Sequence, residues 1–214
     1  MMKTFALIPV KDLDNAKSRL ADSLTAGQRK QLLLAMLSDV LMAVSNLPTV
    51  VISPEDISSH LSGLGNVMFL LQEGERDLNS AVVQANNFAV SRGAGATLFV
   101  PADMPLTRAD EIGKVLELGR DTPVVITKAR DGGTGILYRR PPNVMESRFT
   151  SDSFTDHQRE AREKGLKMHV HDSFPLSLDI DTFEDLQLFM EHGAGTKTYE
   201  YLESVGFKAM KNTK

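Results

Sequence analysis

Residues 4–20 of the chain read TFALIPVKDLDNAKSRL. The first seven of these, residues 4–10, form an apolar run that predicts a short buried β-strand. A polar and basic segment, residues 11–19, follows the run directly. The sequence therefore begins with a buried strand whose carboxyl end leads into a charged loop, and later parts of the chain repeat this strand-first pattern.

Four further apolar runs have the length of strands, and segments with helical spacing separate them. Apolar residues recur at helical spacing over residues 33–44 and again over residues 78–92. Thr25 and Gln28 have the capping-box spacing that begins the first of these helices. This alternation predicts an α/β fold, a Rossmann-like and mainly parallel mixed sheet with helices on both faces. The four runs are residues 49–53, 67–71, 97–100 and 124–127.

The second half of the chain alternates less regularly. Thr107 is the predicted cap of a helix that ends at Gly119, and Asp181 opens another that ends at Gly193. Residues 153–164 are predicted to be helical and residues 167–171 extended. Because no linker, repeat or low-complexity stretch interrupts the chain, we expect residues 1–214 to form a single domain.

Composition narrows the classes of function. The chain has 214 residues, a formal net charge of −4 and no cysteine. Non-specific nucleic-acid binding requires clustered positive charge and is disfavoured, whereas disulfides and thiolate metal sites require cysteine and are excluded. Oxygen ligands would favour a hard ion such as Mg²⁺. No apolar run approaches the roughly 20 residues that span a bilayer, and the N-terminus is unlike a signal peptide, so we expect a cytoplasmic protein.

The basic segment after the first strand is the first candidate for chemistry. In a parallel α/β sheet, ligands bind beyond the carboxyl ends of the strands. Lys11, Lys17 and Arg19 would lie there, where three cations can neutralise a triphosphate. The alternative is a solvated basic loop. Neither GxxxxGKS nor GxGxxG is present, which disfavours a P-loop enzyme and a dinucleotide-dependent dehydrogenase.

Aspartates after other predicted strands are candidate metal ligands. Asp103 follows the 97–100 run and stands in a turn between Pro101 and Pro105. Asp179 and Asp181 would point to the same side of an extended segment. The alternatives are an ordinary turn residue at position 103 and a helix N-cap at position 181.

A glycine-rich turn, DGGTG at residues 131–135, is the last candidate. Glycines let the backbone approach an anion closely, and free backbone N–H groups can bind phosphate. A flexible hairpin loop is an equally good interpretation.

Taken together, these segments resemble the nucleotidyltransferases of the nucleotide-diphospho-sugar transferase fold. Those enzymes usually begin with a glycine-rich LxxGxGxRxG loop, which the basic segment replaces here. In that respect the chain resembles the 2-phospho-L-lactate guanylyltransferase family of coenzyme F420 biosynthesis. Six segments in order carry the resemblance: IPVKDLDNAKSRL (8–20), DLNSAV (77–82), VPADMPLT (100–107), DGGTG (131–135), DSFTDH (152–157) and LDIDTFEDL (178–186).

The resemblance implies roles for particular residues. Asp103 and Asp181 would hold Mg²⁺ and, with Lys17, form the catalytic set. The substrates, GTP and a small phosphorylated acid, would be bound by Lys11, Arg19, Asn79, Thr134, Gly135 and Ser153. Thr150 stands where the family often has glycine. His157, in the sixth position of DSFTDH, would be able to contact an anion.

The implied reaction joins GMP from GTP to 2-phospho-L-lactate, or to a close acid such as phosphoenolpyruvate, with release of pyrophosphate. One alternative is a nucleotidyltransferase of other specificity, such as one using CTP and a sugar or polyol phosphate. A glycosyltransferase with residues 179–181 as its DxD motif is disfavoured by the basic segment. A non-catalytic nucleotide-binding domain is disfavoured by the presence of both aspartates.

The C-terminal stretch TKTYEYLESV, residues 196–205, bears on assembly. Tyr199, Leu202 and Val205 would form an apolar helix face. This face would pack either on the same domain or on a second subunit, which leaves a homodimer open.

Overall fold

The computed structural model describes residues 3–14, 16–61 and 65–207. Asn15 of the basic segment and both ends of the predicted domain therefore lie outside the described residues. The strands are β1 (Lys3–Pro9), β2 (Thr49–Ser53), β3 (Val67–Leu71), β4 (Ala94–Phe99), β5 (Val124–Lys128), β6 (Thr134–Arg139) and β7 (Met168–Val170). The helices are α1 (Ala26–Ala43), α2 (Leu78–Ser91), α3 (Ala109–Leu118), α4 (Ser153–Glu163), α5 (Phe183–His192) and α6 (Lys197–Ser204).

The described strands form one mixed sheet in the order β3-β2-β1-β4-β6-β5-β7. Strands β1 to β4 run parallel, whereas β6 is antiparallel to both β4 and β5. The predicted mainly parallel α/β sheet is thus confirmed. The order reverses between β1 and β4, and such a switch point leaves a crevice at the carboxyl ends of the strands.

Both faces of the sheet are buried, as the alternation along β1 shows. Phe5 and Leu7 pack with β2 and α2 on one face, while Ala6 and Ile8 join the larger core cluster beneath α1 on the other. A third cluster lies between α4 and the strands β4, β5 and β6. Helices therefore cover both faces, as the sequence predicts.

Helix α1 begins as predicted, and it also anchors the C-terminal helix. Thr25 and Gln28 form the capping box. Asp39 of α1 is buried and accepts hydrogen bonds from the backbone N–H groups of Lys197 and Thr198 at the start of α6. Leu202 is fully buried in the main core cluster. The apolar face of α6 thus packs on its own domain.

The predicted cap of α3 is wrong by one residue. Arg108, not Thr107, is the N-cap, and its side chain makes no capping hydrogen bond. The Thr107 hydroxyl is buried and has no hydrogen-bond partner within the described ranges. None of the helices in the described part of the chain has the length and apolar character that a bilayer span requires.

Candidate active site

A cleft of about 870 Å³ opens at the carboxyl ends of β1 and β4. This is the place where the strand order reverses, so the fold itself selects it as the ligand site. The cleft is lined by the predicted residues Lys11, Lys17, Arg19, Asp103, Thr134, Ser153 and Asp181.

The basic segment is fixed to the domain. Leu13 and Leu20 are almost fully buried. The backbone N–H of Leu13 donates to Glu55 Oε1 at 2.7 Å, and Arg29 Nε donates to the carbonyl of Ala16 at 3.1 Å. Buried apolar residues and two neighbouring segments thus anchor the loop, while Lys11 and Arg19 are exposed.

Lys17 is the centre of a cluster with two of the predicted aspartates. Its ammonium donates to Asp103 Oδ2 at 2.6 Å and to Asp181 Oδ1 at 2.7 Å. The Lys17 side chain is only 7% exposed, whereas the two carboxylates are 28% and 38% exposed. We call these three residues the carboxylate–lysine cluster.

The backbone of Lys17 shows how firmly the cluster is held. Lys17 has a φ of 51°, and no other residue besides glycine has a positive φ in the described ranges. A side chain with a Cβ tolerates this left-handed conformation only where its surroundings enforce it. The two ion pairs of Lys17 are such a constraint.

The charges of the cluster support one another. Burial alone would lower the pKa of Lys17, but the carboxylates of Asp103 and Asp181 raise it above its usual value. Burial would raise the pKa of Asp181, and Lys17 lowers it below its usual range. Lys17 is therefore an ammonium and Asp181 a carboxylate near neutral pH.

Asp179 behaves differently. Burial, with the nearby carboxylates of Asp103 and Asp131, raises the pKa of Asp179 to about 7. The cleft thus has an excess of negative charge at Asp179, which a bound cation would relieve.

Local hydrogen bonds bring the two cluster aspartates together. The backbone N–H of Ile180 donates to the carbonyl of Asp103 at 3.0 Å and joins the two segments. Thr182 is the N-cap of α5 and forms a capping box with Asp185. The alternative of Asp181 as the N-cap is therefore wrong, and its carboxylate is available to the cleft.

These carboxylates suit a hard divalent cation. The Lys17 ammonium already shows that a positive charge fits between Asp103 and Asp181. No group of three or more His, Cys, Asp or Glu side chains with metal-binding geometry occurs among the described residues. Such a site would suit Mg²⁺, which commonly takes one or two protein carboxylates and completes its shell with water and phosphate oxygens.

A second polar cluster lies at the start of β6. Ser153 Oγ accepts from the backbone N–H of Thr134 at 2.9 Å and lies 3.1 Å from Thr134 Oγ1. Thr134 Oγ1 lies 2.9 Å from Nδ1 of His157. We call these three residues the hydroxyl–imidazole cluster. All three are buried, and Thr134 and Ser153 reach the cleft.

Three backbone N–H groups of the glycine-rich turn are already paired, so they are not free to bind phosphate. Gly132 donates to the carbonyl of Ala129, Gly133 to Asp131 Oδ1, and Thr134 to Ser153 Oγ. The first two of these bonds close the turn, and the third joins it to α4. Its contribution to the cleft is the Thr134 side chain.

Gly135 and Asn79 do not line the cleft, unlike the other predicted residues. A Cβ at Gly135 would lie 2.3 Å from the Leu176 carbonyl and 2.6 Å from Thr127 Oγ1, so glycine is needed for packing. The Asn79 side chain donates to the Phe149 carbonyl at 3.1 Å and accepts from its N–H at 2.8 Å. The geometry gives both residues a positioning role, and their contact with substrate stays a prediction.

Two residues near the second cluster differ from expectation. His157 is fully buried and both ring nitrogens have partners, so direct contact with an anion is wrong. Thr150 lines the cleft, and its hydroxyl donates to Asp156 and accepts from the N–H of Asp152. Threonine at this position thus stabilises the first turn of α4.

Arg76 also lines the cleft, although the sequence does not single it out. It directly precedes the DLNSAV segment, in which Asp77 caps α2. The sequence feature that could have identified Arg76 is its position just before a helix that borders the crevice.

Comparison with known proteins identifies the family of the chain. The family model described as "Guanylyl transferase CofC like" matches residues 4–214. The chain is 41% identical over 209 residues to a 2-phospho-L-lactate guanylyltransferase of Methanothermobacter thermautotrophicus, covering 96% of this chain and 92% of that one. It is 32% identical over 205 residues to one of Methanocaldococcus jannaschii, covering 96% and 90%.

Solved structures agree on the fold. A structure from Desulfovibrio desulfuricans assigned as a nucleotide-diphospho-sugar transferase has a TM-score of 0.79 at 20% identity and covers 96% of both chains. A 4-diphosphocytidyl-2C-methyl-D-erythritol synthase of Anaerococcus prevotii has a TM-score of 0.62 at 14% identity, covering 94% of this chain and 99% of that one.

The sheet order and these structures show the fold of the nucleotide-diphospho-sugar transferases, with the cleft at its switch point. Within that class, the chain belongs to the family of CofC-like guanylyl transferases.

Proposed function

We propose that this enzyme joins GMP from GTP to 2-phospho-L-lactate, or to a close phosphorylated acid such as phosphoenolpyruvate, in coenzyme F420 biosynthesis. The observation that carries the proposal is the convergence of Asp103 and Asp181 on Lys17 at the switch point of the sheet. The substrate assignment is supported by relatives that are named 2-phospho-L-lactate guanylyltransferase.

The proposed reaction needs no catalytic base. A phosphate oxygen of the acceptor attacks the α-phosphorus of GTP in line and forms a new P–O–P bond. The bond from the α-phosphorus to its bridging oxygen breaks, and the electron pair leaves with pyrophosphate. Because the acceptor is already an anion near neutral pH, the protein's task is to position the groups and neutralise their charge.

The chain's basic residues suit the donor side of the cleft. Lys11, Lys17 and Arg19 follow β1, and Asp103 follows the adjacent β4. These cations would bind the triphosphate and the departing pyrophosphate. We propose that Asp103 and Asp181 hold Mg²⁺, which would supply charge neutralisation at the α-phosphate.

Thr134 and Ser153 suit the acceptor side. They belong to β6 and α4, on the side of β4 that lies away from β1. The nucleotide phosphates and Asp103 would lie on one side of an acid bound there. The phosphate of the acid would therefore face the α-phosphorus of GTP.

The test is product formation with a matrix of substrates. The protein is incubated with Mg²⁺, each of the four ribonucleoside triphosphates, and each of 2-phospho-L-lactate, phosphoenolpyruvate and 3-phosphoglycerate. Pyrophosphate release and the product mass are measured. We expect the guanylylated acid with GTP and 2-phospho-L-lactate or phosphoenolpyruvate. Turnover only with CTP and a sugar or polyol phosphate, added as a further acceptor, would contradict the proposal, as would nucleotide binding without any product.

Location and assembly are further proposals. The absence of cysteine in the sequence supports a cytoplasmic location. A homodimer would have to form through a surface other than the apolar face of α6, because Leu202 is buried against the same chain.

A further inference from the structure

The hydroxyl–imidazole cluster has a fixed direction of hydrogen bonding, which starts at a backbone amide. The N–H of Arg148 donates to His157 Nε2 at 2.8 Å. Nε2 therefore carries a lone pair, and the neutral ring must carry its hydrogen on Nδ1. Nδ1 lies 2.9 Å from Thr134 Oγ1, so His157 donates to the threonine hydroxyl.

The surroundings keep the ring neutral. Burial, followed by the charge of Arg139, lowers the pKa of His157 to about 4, against the opposing effects of Asp156, of a hydrogen bond with the backbone of Ser153 and of Glu160. Arg148 belongs to the same environment and pairs with Glu160 at 2.7 Å. Protonation would also set an Nε2–H against the Arg148 N–H. The Nδ1–H form is thus the one present near neutral pH.

A count of the hydrogens shows that one hydroxyl hydrogen has no acceptor within the cluster. Thr134 and Ser153 have two hydroxyl hydrogens, and the bond between their oxygens at 3.1 Å uses one of them, whichever group donates. Ser153 Oγ also accepts the Thr134 N–H, and Nδ1 of His157 cannot accept because it is a donor. The second hydroxyl hydrogen needs an acceptor elsewhere, and both side chains border the cleft.

The opposite tautomer would abolish this donor. With its hydrogen on Nε2, the ring would accept one hydroxyl hydrogen at Nδ1 and the Thr134–Ser153 bond would consume the other. The cluster would then be satisfied internally. The tautomer of His157 decides whether the cleft receives a donor at this corner.

We propose that His157 is a positioning residue that directs one hydroxyl hydrogen of the Thr134–Ser153 pair to an anionic oxygen, carboxylate or phosphate, of the acceptor acid. The inference rests on the proposed function, since it assigns the acceptor to the β6 side of the cleft. His157 does not touch the acid. It acts through Thr134, and the Arg148 backbone sets its direction.

Two substitutions separate the two hydrogen bonds of the ring. His157→Asn places an amide nitrogen near the Nδ1 position and keeps donation to Thr134, whereas His157→Gln reaches the Nε2 position and loses it. In His157→Gln the second hydroxyl hydrogen is no longer directed to the cleft, so we expect the KM for 2-phospho-L-lactate to rise by up to about tenfold, the range for a lost hydrogen bond to a charged group. His157→Asn should stay within about threefold of the wild type. The KM for GTP should be unchanged in both.

Variants of the two hydroxyl residues link this effect to the hydroxyl hydrogen. Because Ser153 donates to Thr134, Thr134→Val alone would free the Ser153 hydrogen, so both hydroxyls must be removed. Thr134→Val/Ser153→Ala should raise the acceptor KM at least as much as His157→Gln does, and Thr134→Ser should retain most affinity. Adding His157→Gln to Thr134→Val/Ser153→Ala should raise the KM no further, because the donor that His157 directs is already absent. Independent, additive losses would contradict the proposal.

Nitrogen NMR of the ¹⁵N-histidine-labelled wild type tests the tautomer without any variant. We expect the His157 signal of a neutral ring protonated on Nδ1 at pH 7. A ring protonated on Nε2 would overturn the inference. An active enzyme in which His157→Gln leaves the KM for the acceptor unchanged would overturn it as well. An inactive wild type would instead overturn the proposed function, and the inference with it. Use of the phosphate or the carboxylate is distinguished by inorganic phosphate and L-lactate as competing ligands, of which only one should lose affinity in Thr134→Val/Ser153→Ala.

Discussion

The two polar clusters of the cleft use opposite physical means. The carboxylate–lysine cluster is made of full charges, and its carboxylates are 28% and 38% exposed. The hydroxyl–imidazole cluster is neutral, and Thr134, Ser153 and His157 are 8%, 4% and 0% exposed. Partly exposed charged side chains can exchange their ion-pair partners when a metal ion or a phosphate binds. Buried neutral groups instead keep a single hydrogen-bonding pattern.

This difference suits the two substrates that we propose. A triphosphate carries several negative charges that must be neutralised, and one of its bonds must break. A small acid differs from its competitors by a few atoms, and directed hydrogen bonds discriminate such analogues better than charge does. Substitutions in the first cluster should therefore act on turnover, and those in the second on acceptor affinity.

The largest expected effect comes from Asp103→Asn. This change keeps the shape of the side chain but removes the carboxylate charge that we propose binds Mg²⁺. Turnover should therefore fall by about 100-fold or more. The measurement is kcat with GTP over a Mg²⁺ titration. Asp110→Asn, at an exposed aspartate paired with Arg108, is the matched control and should be silent. Near-normal turnover of Asp103→Asn at limiting Mg²⁺ would show that the carboxylate does not hold the metal.

Lys17→Met should come next, with about a 100-fold loss in kcat/KM for GTP. The substitution also leaves Asp103 and Asp181 facing each other without the ammonium, so the folded state should gain more from Mg²⁺ than the wild type does. The measurement is the rise in Tm on adding Mg²⁺. Lys30→Met, which removes a surface pair with Asp14, is the control. Equal Mg²⁺ shifts in Lys17→Met and the wild type would argue against a shared cation position.

Asp179→Asn should increase stability at high pH. The pKa of Asp179 is about 7 in the folded protein against an ordinary 3.8, so the folded chain binds the extra proton. The stabilisation of the fold by this extra proton is fully present below pH 3.8 and is lost as the pH rises through 7. At pH 8 the variant should be more stable than the wild type by roughly 2 kcal/mol or more, at 1.36 kcal/mol per pKa unit.

The measurement for Asp179 is urea unfolding at pH 4 and pH 8 with a chelator present. The difference between variant and wild type should nearly vanish at pH 4. A difference of the same size at both pH values would mean that packing, not ionisation, is responsible.

A smaller effect is expected beside the neutral cluster. Gly135→Ala should cost about 1–3 kcal/mol, because its Cβ would overlap the Leu176 carbonyl and Thr127 Oγ1. Gly113→Ala, in α3 with no atom within 4 Å of the added Cβ, should instead stabilise by up to about 1 kcal/mol. Thermal unfolding compares the two. Equal stability of Gly135→Ala and the wild type would require the Leu176 segment to move.

The carboxylate–lysine cluster is the part of the site that the sequence predicts best. Lys17, Asp103 and Asp181 each follow or flank an apolar segment, and the carboxyl ends of parallel strands meet at one edge whatever the details of packing. The same argument predicts the α/β sheet itself. The antiparallel β6 is less accessible to it, because residues 134–139 follow a turn and have no helix before them.

The hydroxyl–imidazole cluster depends on long-range contacts that spacing does not reveal. Thr134 meets His157 only because β6 enters the sheet beside α4. Asn79 turns towards Phe149, 70 residues away, and not towards the cleft. Gly135 is fixed by Leu176, another distant residue. Residue types indicate these positions as polar or small, but the partner of each is a property of the folded chain.

An isotope experiment tests the transfer itself. The acceptor, 2-phospho-L-lactate, is labelled with ¹⁸O in its phosphate oxygens and incubated with GTP, Mg²⁺ and the enzyme, and the products are analysed by ³¹P NMR and mass spectrometry. Attack on the α-phosphorus predicts that all of the label stays in the guanylylated acid, including the new bridging oxygen, and that pyrophosphate carries none. Label in pyrophosphate, or release of GDP and orthophosphate in place of pyrophosphate, would contradict guanylyl transfer in this cleft.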